Sequence, residues 1–275
     1  MSGEENYKMS DLKRGLSQII LGSQSRIADG VKLCREIGYE GFEILMTDGG
    51  ELTPEAGEAE YREVRRIGEA AGIAYTSLCG GSQRGRSLTA DDPADREQGI
   101  AMHVKLLEAA AALGIDTVLT TGGRVTERVP YDVALQRLEE ALRALAPVAE
   151  RTRVNLALEN VWNKLLLSPL EARDLIDRIG SPSVGWYFDT GNVVLFGFPE
   201  QWIRILGRRI KKVHFKDFKR QGYQWTQLMD GDVDWPAVMR ELRAIGYDDF
   251  VISEVDGGAE VFAETCRRME RILSL

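Results

Sequence analysis

The chain has 275 residues, of which 44% are hydrophobic, enough to bury a large core as one domain or as two small ones. Its formal net charge is -8, and its basic residues are interspersed with acidic ones apart from a short cluster at Arg208, Arg209, Lys211 and Lys212, so no nucleic-acid partner is expected. Cys34, Cys79 and Cys266 are far apart and form no CxxC pair, the polar N-terminus lacks the apolar core of a secretion signal, and no run approaches the roughly 18 apolar residues of a membrane span, so a cytoplasmic protein without disulfides is expected.

Strand and helix signals alternate along the chain. "RGLSQIIL" reads as a first strand, and residues 25–37 as a helix with Ile27, Val31 and Cys34 at helical spacing. "YEGFEILM" is a second strand. "TPEAGEAEYREVRRIGEAAG" reads as a helix capped by Thr53, with Pro54 in its first turn and Gly72 at its end. "IAYTSLC" is a third strand, followed after a Gly/Ser/Arg loop by the helix "DPADREQGIAMHVKLLEAAAALG". "IDTVLTTGG" leads into "YDVALQRLEEALRALAPVAERT", with a kink expected at Pro147. "RVNLALENV" precedes a helix capped by Ser168 with Pro169 just inside it. "VGWYFDTGN" and "KKVHFKDF" are the sixth and seventh strands, separated by the helix "PEQWIRILGRRI". After the helix "DWPAVMRELRAIG", "DFVISEVDG" is the eighth strand, and the helix "AEVFAETCRRMERIL" closes the chain.

Short, almost continuously apolar strands are what parallel strands covered by helices require. Eight strand–helix units in about 250 residues predict an α/β protein of the (β/α)8 TIM-barrel class. A doubly wound sheet is the alternative, but no GxGxxG follows the first strand. Residues 1–11 read as an N-terminal tail, and residues 12–275 as a single barrel domain.

Chemistry in such a barrel belongs at the C-terminal ends of the strands. Four consecutive strands deliver Glu159, Asp189, His214 and Glu254 to that rim. Alternation puts Glu159 on the side of Asn155 and Ala157, and Glu254 on the side of Phe250 and Ile252, toward the barrel axis. Three convergent carboxylates repel one another, and a divalent cation offsets the repulsion. Oxygen donors with one imidazole favour Mn2+, with Co2+, Mg2+ and Zn2+ admissible. Each residue alone has an ordinary explanation, Asp189 as a helix cap and His214 as a packing residue, so the inference rests on the coincidence across four strands.

"LALEN", "WYFDTGNVV", "KKVHFKDF" and "ISEVDGG" together resemble the xylose isomerase-like TIM-barrel superfamily, nearest its sugar and sugar-phosphate isomerase/epimerase branch with the ketose 3-epimerases, from about residue 12 onward. The resemblance implies that Glu159, Asp189, His214 and Glu254 bind a divalent metal, commonly Mn2+, and that Glu159 and Glu254 are the catalytic acid/base pair. It also implies that Arg220, six residues beyond His214, holds substrate hydroxyls. Two positions depart from the ketose epimerases. Asn192 stands where a histidine is common, and Leu165 where a second glutamate is common. A sugar phosphate, an inositol-type polyol derivative or another hydroxy-ketone therefore stays open as substrate.

The expected reaction is 3-epimerisation of a ketose or ketose phosphate through a metal-stabilised cis-enediolate. Alternatives are an aldose–ketose isomerase of the hexulose-phosphate type, an inosose-type dehydratase, and a non-catalytic sugar-binding barrel. A multinuclear endonuclease of the superfamily is disfavoured because the chain has only two histidines. Expected substrate contacts are Glu43, Trp162, Asn163, Asn192, Lys216 and Arg220, with Asp217 orienting a metal ligand. His103, inside a helix, reads as structural, and Asp91 or Asp92 as a helix cap. Residues 80–93, with Arg84 and Arg86, resemble a phosphate-contacting loop. The expected partner is a small sugar or sugar phosphate, with no membrane, and a homo-oligomer is compatible with a barrel of this kind.

Overall fold

In a computed structural model, which describes residues 12–22, 24–80 and 86–275, eight parallel strands close into a barrel with helices around it. The barrel strands are β1 (Lys13–Ser17), β2 (Gly41–Met46), β3 (Ala74–Gly80), β4 (Thr117–Thr120), β5 (Asn155–Glu159), β6 (Val184–Asp189), β7 (Ile210–Phe215) and β10 (Phe250–Ser253). They neighbour one another in chain order, and β10 closes the ring on β1. The main surrounding helices are α1 (Ile27–Ile37), α2 (Glu58–Ala71), α3 (Pro93–Leu113), α4 (Tyr131–Thr152), α5 (Pro169–Ile179), α7 (Pro199–Leu206), α8 (Trp235–Ala244) and α9 (Ala259–Leu273). The expected tail over residues 1–11 lies outside the described residues, as do residue 23 and residues 81–85, which include Arg84.

Local chemistry explains the helix ends. Asp92 accepts a hydrogen bond from the Ala94 amide and Pro93 occupies the first turn of α3, which stops at Gly114 with φ of 73°. Ser168 and Pro169 start α5 in the same way. Elsewhere the structure departs from the expected boundaries. Residues after Ser17 leave the first strand as a 3-10 turn (Gln18–Leu21), because the Ser17 hydroxyl accepts from the Ile19 amide and the Gln18 side chain accepts from the Leu45 amide. The second helix begins at Glu58 rather than at Thr53. Thr53 to Ala56 form a turn, and the Glu60 carboxylate accepts from the Gly57 amide to start the helix there.

Two apolar cores result. The larger one lies between strands and helices and contains Phe42, Trp186, Phe188, Val213 and Phe215. The smaller one fills the barrel with Leu45, Cys79, Leu119, Ala157, Tyr187 and Ile252. Period-two alternation means that the residue two beyond an inward one also points inward. Ala157, Tyr187 and Ile252 therefore aim Glu159, Asp189 and Glu254 at the barrel axis above the packed layer. Register completes the alignment, pairing Asp189 with His214 and Glu159 with Tyr187.

Two further elements sit at the mouth. Residues Thr190–Val194 form a short helix, α6, directly after β6. The expected seventh strand ends at Phe215, and Asp217–Lys219 (β8) pairs with Gln224–Thr226 (β9) as an antiparallel hairpin. Asp217 is the cause. Its carboxylate accepts from the amides of Phe218, Met229, Gly231 and Val233 and from Trp235 Nε1, at 2.9–3.3 Å. Those five donors draw the chain away from the barrel and fold the loop around one buried anion. Among the described residues, no helix is long and apolar enough to cross a membrane.

Candidate functional site

Glu159, Asp189, His214 and Glu254 each offer a ligand atom, and all four atoms lie within 4.8 Å of one another. Asp189 shows how one residue serves two purposes. Its Oδ1 accepts from the Asn192 amide at 2.6 Å and caps α6. Its Oδ2 is buried without a hydrogen-bond partner. An orphaned carboxylate oxygen beside two more carboxylates and an imidazole is a coordination position in chemical terms, since a buried anion needs a compensating cation. The residues present thus fit a divalent ion of the Mn2+ type, with three oxygen donors and one nitrogen.

The site's charge is legible in its protonation. Burial pushes Asp189 up to about 7, opposed by Lys216 and reinforced by Glu159 and Glu254. Burial also raises Glu159. Burial would lower His214, but Glu43, Glu159 and Glu254 outweigh it and draw the imidazole well above its ordinary value. Such a site attracts positive charge, and a proton and a metal ion compete for it.

The imidazole is held from both sides. His214 Nε2 donates to Glu43 Oε1 at 3.1 Å, while Nδ1 lies 3.1 Å from Glu159 Oε1 and 3.9 Å from Glu254 Oε2. Nδ1 is therefore the nitrogen that faces the cluster. Glu43 also accepts from Ser17 at 2.6 Å, Ser77 at 2.7 Å and Tyr187 at 2.6 Å. Burial opposes its ionisation, but the His214 charge and these hydrogen bonds hold its carboxyl at about 2. Expected to touch substrate, Glu43 instead lies fully buried with both oxygens committed to Ser17, Ser77, Tyr187 and His214.

The other expected residues divide into two groups. Lys216 Nζ donates to Glu254 Oε2 at 2.8 Å and sits 4.4 Å from the centre of the Trp225 ring. Gly191 makes room for it, since a Cβ there would come within 2.9 Å of the Lys216 backbone carbon. Trp162 stacks on Trp225 at 5.0 Å and donates from Nε1 to the Asn192 carbonyl. Lys216 thus contacts the cluster directly, Asn192 meets it through its backbone amide, and Trp162 connects to it through the Asn192 carbonyl. Asn163, Arg220 and Asp217 are committed elsewhere. The Asn163 amide donates to the carbonyls of Thr121 and Gly123 and braces two loops. Arg220 donates to the carbonyls of Val194 and Gly197 and lies over Phe198, so its guanidinium anchors a loop rather than meeting the ligand set. Asp217 organises its own loop, and none of its hydrogen bonds reaches the four clustered residues.

Residues 31–272 match the family described as the xylose isomerase-like TIM barrel. The chain belongs to this family. Its curated relatives include L-ribulose-5-phosphate 3-epimerase UlaE of Salmonella heidelberg (strain SL476), 24% identical over 218 residues, covering 78% of this chain and 77% of that protein. The 2-epi-5-epi-valiolone 7-phosphate 2-epimerase of Actinoplanes sp. (strain ATCC 31044 / CBS 674.73 / SE50/110) is 26% identical over 192 residues, covering 69% and 67%. Among solved structures, D-psicose 3-epimerase from Clostridium cellulolyticum H10 with D-tagatose superposes with a TM-score of 0.80 at 17% identity, covering 95% of this chain and 99% of the other. A D-tagatose 3-epimerase-like protein gives 0.82 at 17% identity, covering 96% and 97%.

Within this family barrel, three supports escaped the sequence analysis. Asn160 accepts from the Asp189 amide and from Trp186 Nε1, and donates to the Asp189 carbonyl, locking the end of β6. Tyr187 bonds Glu43, and its parity with Asp189 was the available signal. Trp225 enters through the hairpin, for which the sequence carried no strand-length pattern.

Proposed function

We propose that the chain is a divalent-metal-dependent carbohydrate epimerase that inverts C3 of a ketose or ketose phosphate. Glu159, Asp189, His214 and Glu254 would hold the ion. When bound, the ion supplies Lewis-acid stabilisation of negative charge on the substrate's carbonyl and hydroxyl oxygens. The protein's own groups do the rest. Glu159 ends β5 and Glu254 directly follows β10, with β6 and β7 between these strands, so their carboxylates reach the cavity from two sides. One removes the proton from C3, giving an enediolate, and the other, protonated, returns a proton to the opposite face. Lys216 fixes Glu254, and Glu43 fixes the His214 ring. The Trp162–Trp225 pair provides an apolar wall for the sugar's carbon face.

The observation that carries the proposal is the convergence of those four ligand atoms with two glutamates from non-adjacent strands. The names of the curated relatives support an epimerase of phosphorylated substrates, and those of the solved neighbours an epimerase of free ketoses. The test is a panel of pentuloses, hexuloses and their phosphates incubated with Mn2+-loaded protein in deuterated water and followed by NMR. Deuterium is expected at C3 with formation of the C3 epimer, abolished in Glu159→Gln and Glu254→Gln. Exchange confined to C1 or C2 would replace epimerisation by aldose–ketose isomerisation. A product one water lighter would mean dehydration.

A further inference from the structure

We infer that the cleft between the loops after β4 and β5 is the subsite for the substrate's terminal phosphate, with Arg124 and Lys164 as its cations. The cleft encloses about 510 Å3 and is lined by Thr121, Gly123, Arg124, Trp162, Asn163 and Lys164, among others. None of the four clustered residues lines it, and Trp162 links it to the cluster through the Asn192 backbone. Its Trp162 wall donates to the Asn192 carbonyl, and the Asn192 amide donates to Asp189. The strand that carries Glu159 runs directly into the Lys164 loop.

Arg124 and Lys164 are the two cations in the lining of the cleft, and several cations around it are already engaged. Lys216 holds Glu254, Arg86 pairs with Asp48 at 2.8 Å, Arg220 bonds two carbonyls, and Arg137 bonds the Ala90 carbonyl. Among the described residues, no ion pair involves the side chain of Arg124 or Lys164, and both are exposed. Two cations without ion pairs in the lining of one cleft suit a dianion.

The loop that presents Lys164 is also built for its shape. Lys164 and Leu166 hold φ of 66° and 55°, a region that side-chain-bearing residues avoid. Asn163 braces the turn by donating to the Thr121 and Gly123 carbonyls and accepting from the Leu165 amide, and the Tyr131 hydroxyl accepts from the Leu166 amide. These hydrogen bonds fix the position of the Lys164 backbone beside the cleft.

The inference rests on the sugar-epimerase proposal and narrows its substrate to ketose phosphates, because a terminal phosphate lies further along the carbon chain than the reacting carbon. Arg124→Gln/Lys164→Gln is expected to raise KM for a ketose phosphate at least tenfold with kcat within twofold, and to leave turnover of the unphosphorylated ketose unchanged. Arg128→Gln, which removes an exposed cation outside the cleft lining, controls for net charge and is expected to match wild type. Inorganic phosphate binding, followed by 31P NMR titration, gives a readout independent of turnover and is expected for wild type and lost in the double variant. A double variant that binds phosphate like wild type, or a wild type that binds none, overturns the subsite. Failure of C3 exchange on every sugar, with phosphate binding still dependent on Arg124 and Lys164, overturns the epimerase proposal and leaves an anion site.

Discussion

Replacing Glu43 tests how far the proposed metal site depends on a residue outside its four ligands. Glu43 Oε1 accepts from Ser17 and His214, and Oε2 accepts from Ser77 and Tyr187. Glu43→Ala leaves the buried His214 Nε2–H without its acceptor, a loss of about 1–3 kcal/mol, and frees the ring to rotate or change tautomer. Removing a partner of this kind weakens metal binding by roughly 10–100-fold, or about 1.4–2.7 kcal/mol. Glu43→Gln is milder. Its single carbonyl oxygen can take the Oε1 place and keep His214, while its amino group faces the Ser77 and Tyr187 hydroxyls, which can turn to accept. The expected order of Mn2+ affinity, by isothermal titration calorimetry, is wild type, then the Gln variant, then the Ala variant. Long-range 1H–15N NMR of the protein loaded with diamagnetic Zn2+ reads the His214 tautomer directly, because the chain holds only two histidines. A folded Ala variant with wild-type Mn2+ affinity and an unchanged Nε2–H tautomer would refute the positioning argument.

Other consequences are measurable. Trp225→Ala removes one face of the aromatic wall, so loss of about 0.5–1.5 kcal/mol of stacking should raise KM roughly twofold to tenfold with kcat little changed; an unaltered KM would place the substrate elsewhere. Asp217→Ala releases five donors and is expected to destabilise the protein by about 2–5 kcal/mol and to open residues 219–231 to limited proteolysis. Gly231→Ala should act similarly, since its Cβ would fall 2.1 Å from Asp217 Oδ1. His103 donates from Nδ1 to the Gly99 carbonyl and accepts at Nε2 from Thr120, and burial lowers its folded-state pKa. The unfolded chain, with histidine near 6.5, takes up the proton first, so this contribution is full above that pH and declines as pH falls below it. The drop in Tm between pH 7 and pH 5 should therefore be smaller in His103→Asn than in wild type, and an equal drop would contradict it.

Period-two alternation and strand count were enough to read a closed eight-stranded barrel and its four rim residues from the sequence, because both are local. Ala157 and Ile252 announce the inward parity of Glu159 and Glu254 within a few residues of chain. What each remaining polar group does was decided by tertiary structure. Glu43, Ser17, Ser77, Tyr187 and His214 come from five strands, and only closure of the barrel brings them into one hydrogen-bonded set. Arg220 and Asp217 have the side chains of ligand-contacting residues, yet the carbonyls of Val194 and Gly197 take the Arg220 hydrogen bonds, and amides of its own loop occupy Asp217. A sequence records which groups a residue carries and which face of its strand it occupies. Whether that group is free for chemistry depends on who else arrives beside it, and that is set by contacts between segments far apart in the chain.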